Sequence, residues 1–109
     1  MIHYGGRLFR PVGESGGEVG PDTLFRYDQR GTTLLASYSG GAIDFGSIVG
    51  AVHPDGTLSF LYQHITKTGS LRSGYCESRP EILPGGKLRL HERWKWHGGA
   101  RGRSTLEEL

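Results

Sequence analysis

The chain has 109 residues, a formal net charge of +2 and a single cysteine, Cys76. This length predicts one domain over residues 1–109, and a lone cysteine excludes an internal disulfide and gives no support for secretion. The N-terminus has no apolar signal segment and no run approaches the roughly 20 apolar residues of a membrane helix, so we predict a cytoplasmic protein without a membrane partner.

Nineteen glycines and five prolines divide the chain into short segments of alternating polarity, which is typical of β-strands. The expected strands cover residues 7–12, 22–28, 32–38, 43–53, 57–65, 70–78, 87–97 and 103–109. Residues 3–6 are expected to be flexible. Gly46 and Gly50 are expected to mark a bulge or a bend, and Pro80 is expected to end the sixth strand.

About eight strands at a spacing of roughly ten residues, joined by tight turns, predict an all-β fold. Short connections between successive strands favour a single antiparallel up-and-down β-barrel, with an architecture like that of the lipocalins and avidins. The interior of an eight-stranded barrel is filled by side chains or holds one small ligand. The fold alone therefore leaves both a binding protein and a solid-core protein open.

Residues 87–97 show the clearest alternation in the chain. One face of this strand carries Leu88, Leu90, Glu92, Trp94 and Trp96. A carboxylate among apolar groups needs a partner, so Glu92 is either an anchor for a cationic or hydrogen-bonding ligand group or one half of a structural ion pair.

The opposite face of the same strand is basic and carries Arg89, His91, Arg93, Lys95 and His97. A surface that binds nucleic acid interleaves basic side chains with aromatic rings for base stacking. Here the aromatic residues lie on the other face. We therefore interpret the basic face as a solvated outer wall, which argues against a nucleic-acid partner.

Three stretches carry a family resemblance: residues 38–41 (Tyr-Ser-Gly-Gly), residues 50–52 (Gly-Ala-Val) and residues 80–96, from the Pro-Glu-Ile-Leu-Pro-Gly-Gly turn through Trp96. They resemble a family of small bacterial all-β proteins whose members are often labelled N-acetylglutamate synthase. The resemblance covers nearly the whole chain and implies that activity, but it implies no catalytic residue. The acetyltransferase form of the reaction uses an Arg/Gln-x-x-Gly-x-Gly/Ala loop at a helix N-terminus, and this spacing is absent here.

The sequence therefore supports three hypotheses about function: a small-molecule-binding barrel, a solid-core structural or interaction module that is compatible with homo-oligomers, and an enzyme with Glu92 and His64 as acid and base. The first predicts a ligand site made of Glu92, Trp94, Trp96, Tyr62, His64 and Tyr75. No metal-ligand spacing is present, because His91 and His97 would lie ~20 Å apart along one strand. We predict no metal, no cofactor and no assigned catalytic residue.

Overall fold

The computed structural model describes residues 2–13 and 18–109. Its strands are β1 (Leu8–Val12), β2 (Leu24–Arg30), β3 (Thr33–Gly40), β4 (Ile43–Val52), β5 (Leu58–Thr66), β6 (Leu71–Ile82), β7 (Leu88–Trp96) and β8 (Arg101–Glu108). Each strand pairs antiparallel with the next, and β8 pairs with β1, so the sheet closes into a barrel. The predicted eight-stranded antiparallel barrel is confirmed. Within the described residues, no helix is long and apolar enough to cross a membrane.

The barrel interior is built by the inward half of each alternating strand. The buried apolar side chains of the strands are Phe9, Phe25, Tyr27, Leu34, Tyr38, Ile43, Ile48, Val52, Leu58, Phe60, Tyr62, Cys76, Leu88, Leu90 and Leu106. They come from all eight strands, as expected for a meander that wraps around one core. Cys76 is a free, buried cysteine within this core.

Strand β6 is longer than predicted, because Pro80 does not end it. Its pairing with β5 stops at Ser78, opposite Leu58, whereas its pairing with β7 continues through Pro80 to Ile82. Pro80 therefore lies where β6 has one neighbouring strand instead of two. Proline is tolerated at such an edge position because it cannot donate to a second ladder.

The segment ahead of β1 is also more ordered than predicted. Tyr4 is fully buried, and its hydroxyl donates a hydrogen bond to the carbonyl oxygen of Gly56. Its backbone N–H donates to the side chain of Gln29 at 2.9 Å, and its ring lies 6.2 Å from that of Tyr27. These contacts cover one end of the barrel core, so the prediction of flexibility for this segment was wrong at Tyr4.

Gly46 and Gly50 do not mark the bulge in β4; register shifts instead fall between Tyr38 and Gly40 and between Ile43 and Phe45. The two glycines lie opposite large aromatic side chains on neighbouring strands. A Cβ atom at position 46 would lie 2.3 Å from the ring of Tyr38, and one at position 50 would lie 2.4 Å from Cβ of Phe60. Gly46 therefore makes room for the ring of Tyr38, and Gly50 allows the close approach of β5 at Ser59 and Phe60.

Candidate functional site

The barrel interior contains a cavity of about 60 Å³. One water molecule needs about 10–15 Å³ measured in this way, so the cavity has room for several waters or a small organic group. Its lining comprises Glu18, Val19, Phe25, Tyr38, Ile48, Phe60, Tyr62, His64, Cys76, Glu92, Trp94, Trp96, Ser104 and Leu106. His64 and Trp96 stand near the ends of β5 and β7, and Glu18 and Val19 belong to the segment between β1 and β2.

Five of the six predicted site residues line this cavity. Tyr62 and His64 face inward from β5, and Glu92, Trp94 and Trp96 face inward from β7. The period-two alternation of both strands was sufficient to place these side chains on one face. The structure therefore brings together the residues that the sequence proposed, except one.

Tyr75 is the exception, because it lies on the outer face of β6. Its side chain is exposed, and its hydroxyl donates to Glu77 at 3.3 Å. The small residues Gly74 and Cys76 on either side take the inward positions. A Cβ atom at position 74 would lie 2.4 Å from the hydroxyl oxygen of Tyr62, so this inward position has no room for a large side chain.

Glu92 is 8% exposed and lies among apolar groups of the cavity wall. Its Oε1 accepts a hydrogen bond from the hydroxyl of Ser104 at 3.3 Å, whereas its Oε2 has no partner among the described residues. Burial raises the pKa of Glu92 to about 8 because a charged carboxylate is poorly solvated there. The side chain is therefore largely protonated at neutral pH in the free protein.

Three buried hydroxyl groups near Glu92 also lack partners among the described residues, those of Tyr27, Tyr62 and Ser78. The hydroxyl of Tyr62 lies in the cavity wall, and Ser78 stands directly opposite Glu92 in the pairing of β6 with β7. Burial raises the pKa of Tyr62 above its ordinary value, with smaller contributions from Cys76 and Glu92. The site thus holds neutral polar groups whose hydrogen-bonding capacity is unused.

His64, by contrast, has both ring nitrogens engaged. Its Nδ1 is hydrogen-bonded to the hydroxyl of Tyr38 at 2.8 Å, and its Nε2 to Oε1 of Glu18 at 2.9 Å. Oε2 of Glu18 lies 3.4 Å from Arg72. These contacts fix the imidazole between two strands and the segment that follows β1, so it acts as a positioned part of the cavity wall.

Aromatic rings surround the same space. The ring centroid of Trp96 lies 5.0 Å from that of Tyr62, 5.5 Å from that of His64 and 5.9 Å from that of Trp94. Tyr38 stacks on Phe25 at 4.7 Å. Edge-to-face and offset contacts at such distances hold the rings in defined orientations.

Nine lining residues were not among the predicted site residues, and four of these nine carry a polar or thiol group: Glu18, Tyr38, Cys76 and Ser104. Alternation along β3 and β8 could have placed Tyr38 and Ser104 on inward faces. Glu18 follows a glycine-rich segment with no periodicity, so no local signal predicted that it returns to the cavity. Within residues 2–13 and 18–109, no group of three or more His, Cys, Asp or Glu side chains is arranged to hold a metal ion.

Comparison with known proteins identifies the family. A sequence model of avidin-like proteins matches residues 2–109, which is nearly the whole chain. No curated protein and no solved structure gives a significant match. The match extends to a small all-β family and carries no N-acetylglutamate synthase assignment. Its extent, together with the closed eight-stranded barrel, shows that this chain belongs to the avidin-like protein family.

Proposed function

We propose that the protein binds a small molecule in the barrel interior through Glu92, Trp94, Trp96, Tyr62 and His64. The observation that carries the proposal is a pair of buried polar groups on the wall of one cavity, Oε2 of Glu92 and the hydroxyl of Tyr62, which have no partner among the described residues. A buried polar group left unpaired costs about 1–3 kcal/mol, which a ligand with matching groups recovers.

The architecture and the family support the same function. Barrels of eight strands have an interior that can hold one small ligand, and avidin-like barrels typically bind small molecules. The cavity of about 60 Å³ sets the scale of the group that enters it. We therefore expect a compact polar head to reach Glu92, with any larger part of the ligand extending past Trp96 and Glu18.

The test is a thermal-shift screen of small polar metabolites, followed by tryptophan fluorescence titration. A ligand of the folded state stabilises it by mass action, by about 2.7 kcal/mol at a hundredfold excess over Kd. Both tryptophans line the cavity, so a bound ligand also changes their emission. Tyr62→Phe should weaken binding, whereas Tyr75→Phe on the outer face is the matched control. A screen in which no compound changes either signal would contradict the proposal.

An enzymatic function has less support from the same geometry. His64, the base considered with Glu92, has both ring nitrogens in hydrogen bonds to Tyr38 and Glu18. The sequence also lacks the acetyl-coenzyme A loop that N-acetylglutamate synthesis by an acetyltransferase would use. We therefore keep the proposal to binding.

A second candidate function is self-association through the outer wall. The central strands β4, β5 and β6 expose apolar side chains on this wall: Phe45, Val49, Leu61, Ile65, Leu71 and Tyr75. The residues between them on the same face are Ser47, Gln63 and Ser73, which are uncharged. An apolar, uncharged patch is complementary to itself across a two-fold axis, so the occupant we propose is a second copy of this chain.

Light scattering on the eluting peak of a sizing column tests this second candidate. We expect a dimer for the unaltered chain and a monomer for Leu61→Glu, because the new carboxylate would lie in the centre of the patch. Thr33→Glu, at an exposed position on β3, should leave the mass unchanged. A monomeric mass for the unaltered chain at micromolar concentration would exclude the dimer. A cytoplasmic location stays a prediction.

A further inference from the structure

Two acidic side chains belong to the cavity wall. Among the described residues, the lining includes the carboxyl groups of Glu18 and Glu92 and no lysine or arginine. Glu18 is already paired with His64 and with Arg72. Glu92 forms no ion pair with any described residue, whereas five other described carboxylates do, so its carboxyl group is open to pairing with a ligand.

Aromatic rings form most of the rest of the wall. The lining rings are those of Phe25, Tyr38, Phe60, Tyr62, Trp94 and Trp96. The faces of such rings carry negative electrostatic potential, and cations held within about 6 Å of an indole or phenol ring are attracted to it, more strongly when the site excludes water. An acidic group enclosed by aromatic rings favours a cation over a neutral or anionic group.

We propose that the ligand carries a small organic cation with N–H donors, an ammonium or guanidinium group, which binds Oε2 of Glu92 between the rings of Tyr62, Trp94 and Trp96. This inference rests on the proposed function and narrows it to one class of ligand. The cation supplies the donor that Oε2 lacks. The hydroxyl of Tyr62 is available to accept a second N–H or to bind an acceptor group beside the cation.

Binding of a cation is coupled to the loss of one proton. The free protein holds Glu92 protonated at neutral pH, since burial raises its pKa to about 8. When the cation binds, the proton of Glu92 passes to solvent and the carboxylate pairs with the ligand. The affinity for a permanently charged cation therefore rises with pH up to about pH 8.

The other titratable groups that face this part of the interior come from several strands and from the segment after β1. They are Tyr27, Tyr38, Tyr62, His64, Cys76 and Glu18. Burial raises the pKa values of Tyr27, Tyr38, Tyr62 and Cys76, so these four keep their protons below pH 8. His64 and Glu18 are hydrogen-bonded to each other and form no hydrogen bond to Glu92.

Calorimetric titration of the intact chain with three probes of similar size tests the proposal: methylguanidinium, methylurea and acetate. We expect methylguanidinium to bind at least about tenfold more tightly than neutral methylurea at pH 8, a difference of about 1.4 kcal/mol, and acetate not to bind. The Kd of methylguanidinium should decrease about tenfold from pH 6 to pH 7, with one proton released for each cation bound.

The variant Glu92→Gln keeps the shape of the side chain and removes its charge. It should lose the preference for methylguanidinium over methylurea and the dependence on pH, whereas Glu77→Gln, on the outer face, should keep both. The pH dependence of the unaltered chain provides the test if the variant does not fold.

The outcomes separate the two levels of the proposal. Equal binding of methylguanidinium and methylurea, independent of pH, overturns the cation inference and leaves small-molecule binding intact. Binding of acetate in preference to methylguanidinium does the same. If no probe binds, and the metabolite screen also finds no ligand, both the cation inference and the proposed function fail.

Discussion

Glu92 illustrates how one residue can serve a binding site at a cost to the fold. Its neighbours on the inward face of β7 are Leu90 and Trp94, and Ser104 is the one described residue that donates a hydrogen bond to it. A buried charge is worth little to stability unless its desolvation is offset by good partners. The free protein avoids much of this cost by keeping the side chain protonated.

This protonation predicts a pH dependence of stability. The pKa of Glu92 is raised to about 8 in the folded chain, from 4.5 without burial. Between these two values the unfolded chain has released the proton that the folded chain retains. Stability from this group is therefore present below pH 4.5 and is lost towards pH 8, by at most about 1.4 kcal/mol for each pH unit.

The measurement is urea unfolding of the unaltered chain and of Glu92→Gln at several pH values from 5 to 8. The free energy of unfolding of Glu92→Gln, relative to that of the unaltered chain, should increase as pH rises. Glu77→Gln is the control, because this carboxylate is exposed. A constant difference between the unaltered chain and Glu92→Gln across this range would contradict the raised pKa.

Two tyrosines of the cavity should respond differently to loss of the hydroxyl. The hydroxyl of Tyr38 is hydrogen-bonded to His64, whereas that of Tyr62 has no partner among the described residues. Tyr38→Phe should therefore lower the free energy of unfolding by about 1 kcal/mol, and Tyr62→Phe should leave it unchanged or raise it. Chemical denaturation of the ligand-free variants decides; an equal loss in both would contradict the assignment of partners.

At the scale of the strands, glycine and aromatic residues are matched across the sheet. The four cross-strand pairs are Tyr38 with Gly46, Phe60 with Gly50, Tyr62 with Gly74 and Trp94 with Gly102. In three of the pairs the aromatic ring occupies the space that a side chain at the glycine position would take, whereas at Gly50 the backbone of Ser59 and the Cβ of Phe60 occupy it. These pairs therefore determine how the large aromatic side chains pack in the narrow interior of the barrel.

The substitution Gly102→Ala tests this arrangement. Its Cβ would lie 2.4 Å from Cζ2 of Trp94, so the indole ring has to move out of its place in the cavity wall. We expect a loss of about 1–3 kcal/mol in unfolding free energy and a change in tryptophan emission. Gly99→Ala is the matched control, because nothing lies within 4 Å of its Cβ position. Equal stability of the two variants would show that Trp94 is not held by this contact.

The strands also show where sequence patterns are informative. The alternation of β7 predicted every inward-facing side chain correctly. A long strand with large apolar residues on one face has only one register that buries them. The pattern of β6 was misleading, since Leu71 and Tyr75 are apolar but face outward while the inward positions hold Gly74, Cys76 and Ser78. Small inward residues leave no hydrophobic signal.

At the scale of the whole molecule, closure of the barrel depends on its shortest strand. Strand β1 is in register with β2 at Leu8 and Phe9, and with β8 from Phe9 to Val12. Arg7 donates to Glu108 at 2.7 Å across this seam, and Glu108 also accepts from the backbone N–H of Leu88 at 3.0 Å. The seam therefore combines short ladders with one partly buried ion pair.

We predict that the barrel opens first at this seam. Amide hydrogen exchange of β1 should be faster than that of β5, which is paired along its length on both sides. Glu108→Gln should increase exchange of β1 about two- to fivefold, as expected for a pair worth about 0.5–1 kcal/mol, and leave β5 unchanged. Mass spectrometry of exchanged peptides provides the measurement. If β5 exchanges as fast as β1, the barrel opens as one unit.

The sequence by itself determined the fold class and most of the candidate site. Alternation on each strand and turn signals between strands are local properties, so they could be read without knowing which strands meet. They were sufficient to predict the eight-stranded barrel and to place Trp94, Trp96, Tyr62, His64 and Glu92 on inward faces.

Only the tertiary structure decided what those inward faces meet. It left Oε2 of Glu92 without a partner in the described part of the chain, brought Glu18 back to His64 and turned Tyr75 outward. Hydrogen-bond partners, cavity volume and a shifted pKa depend on residues far apart in the chain that barrel closure brings together. No local pattern contains that information, because the same strand could face many different interiors.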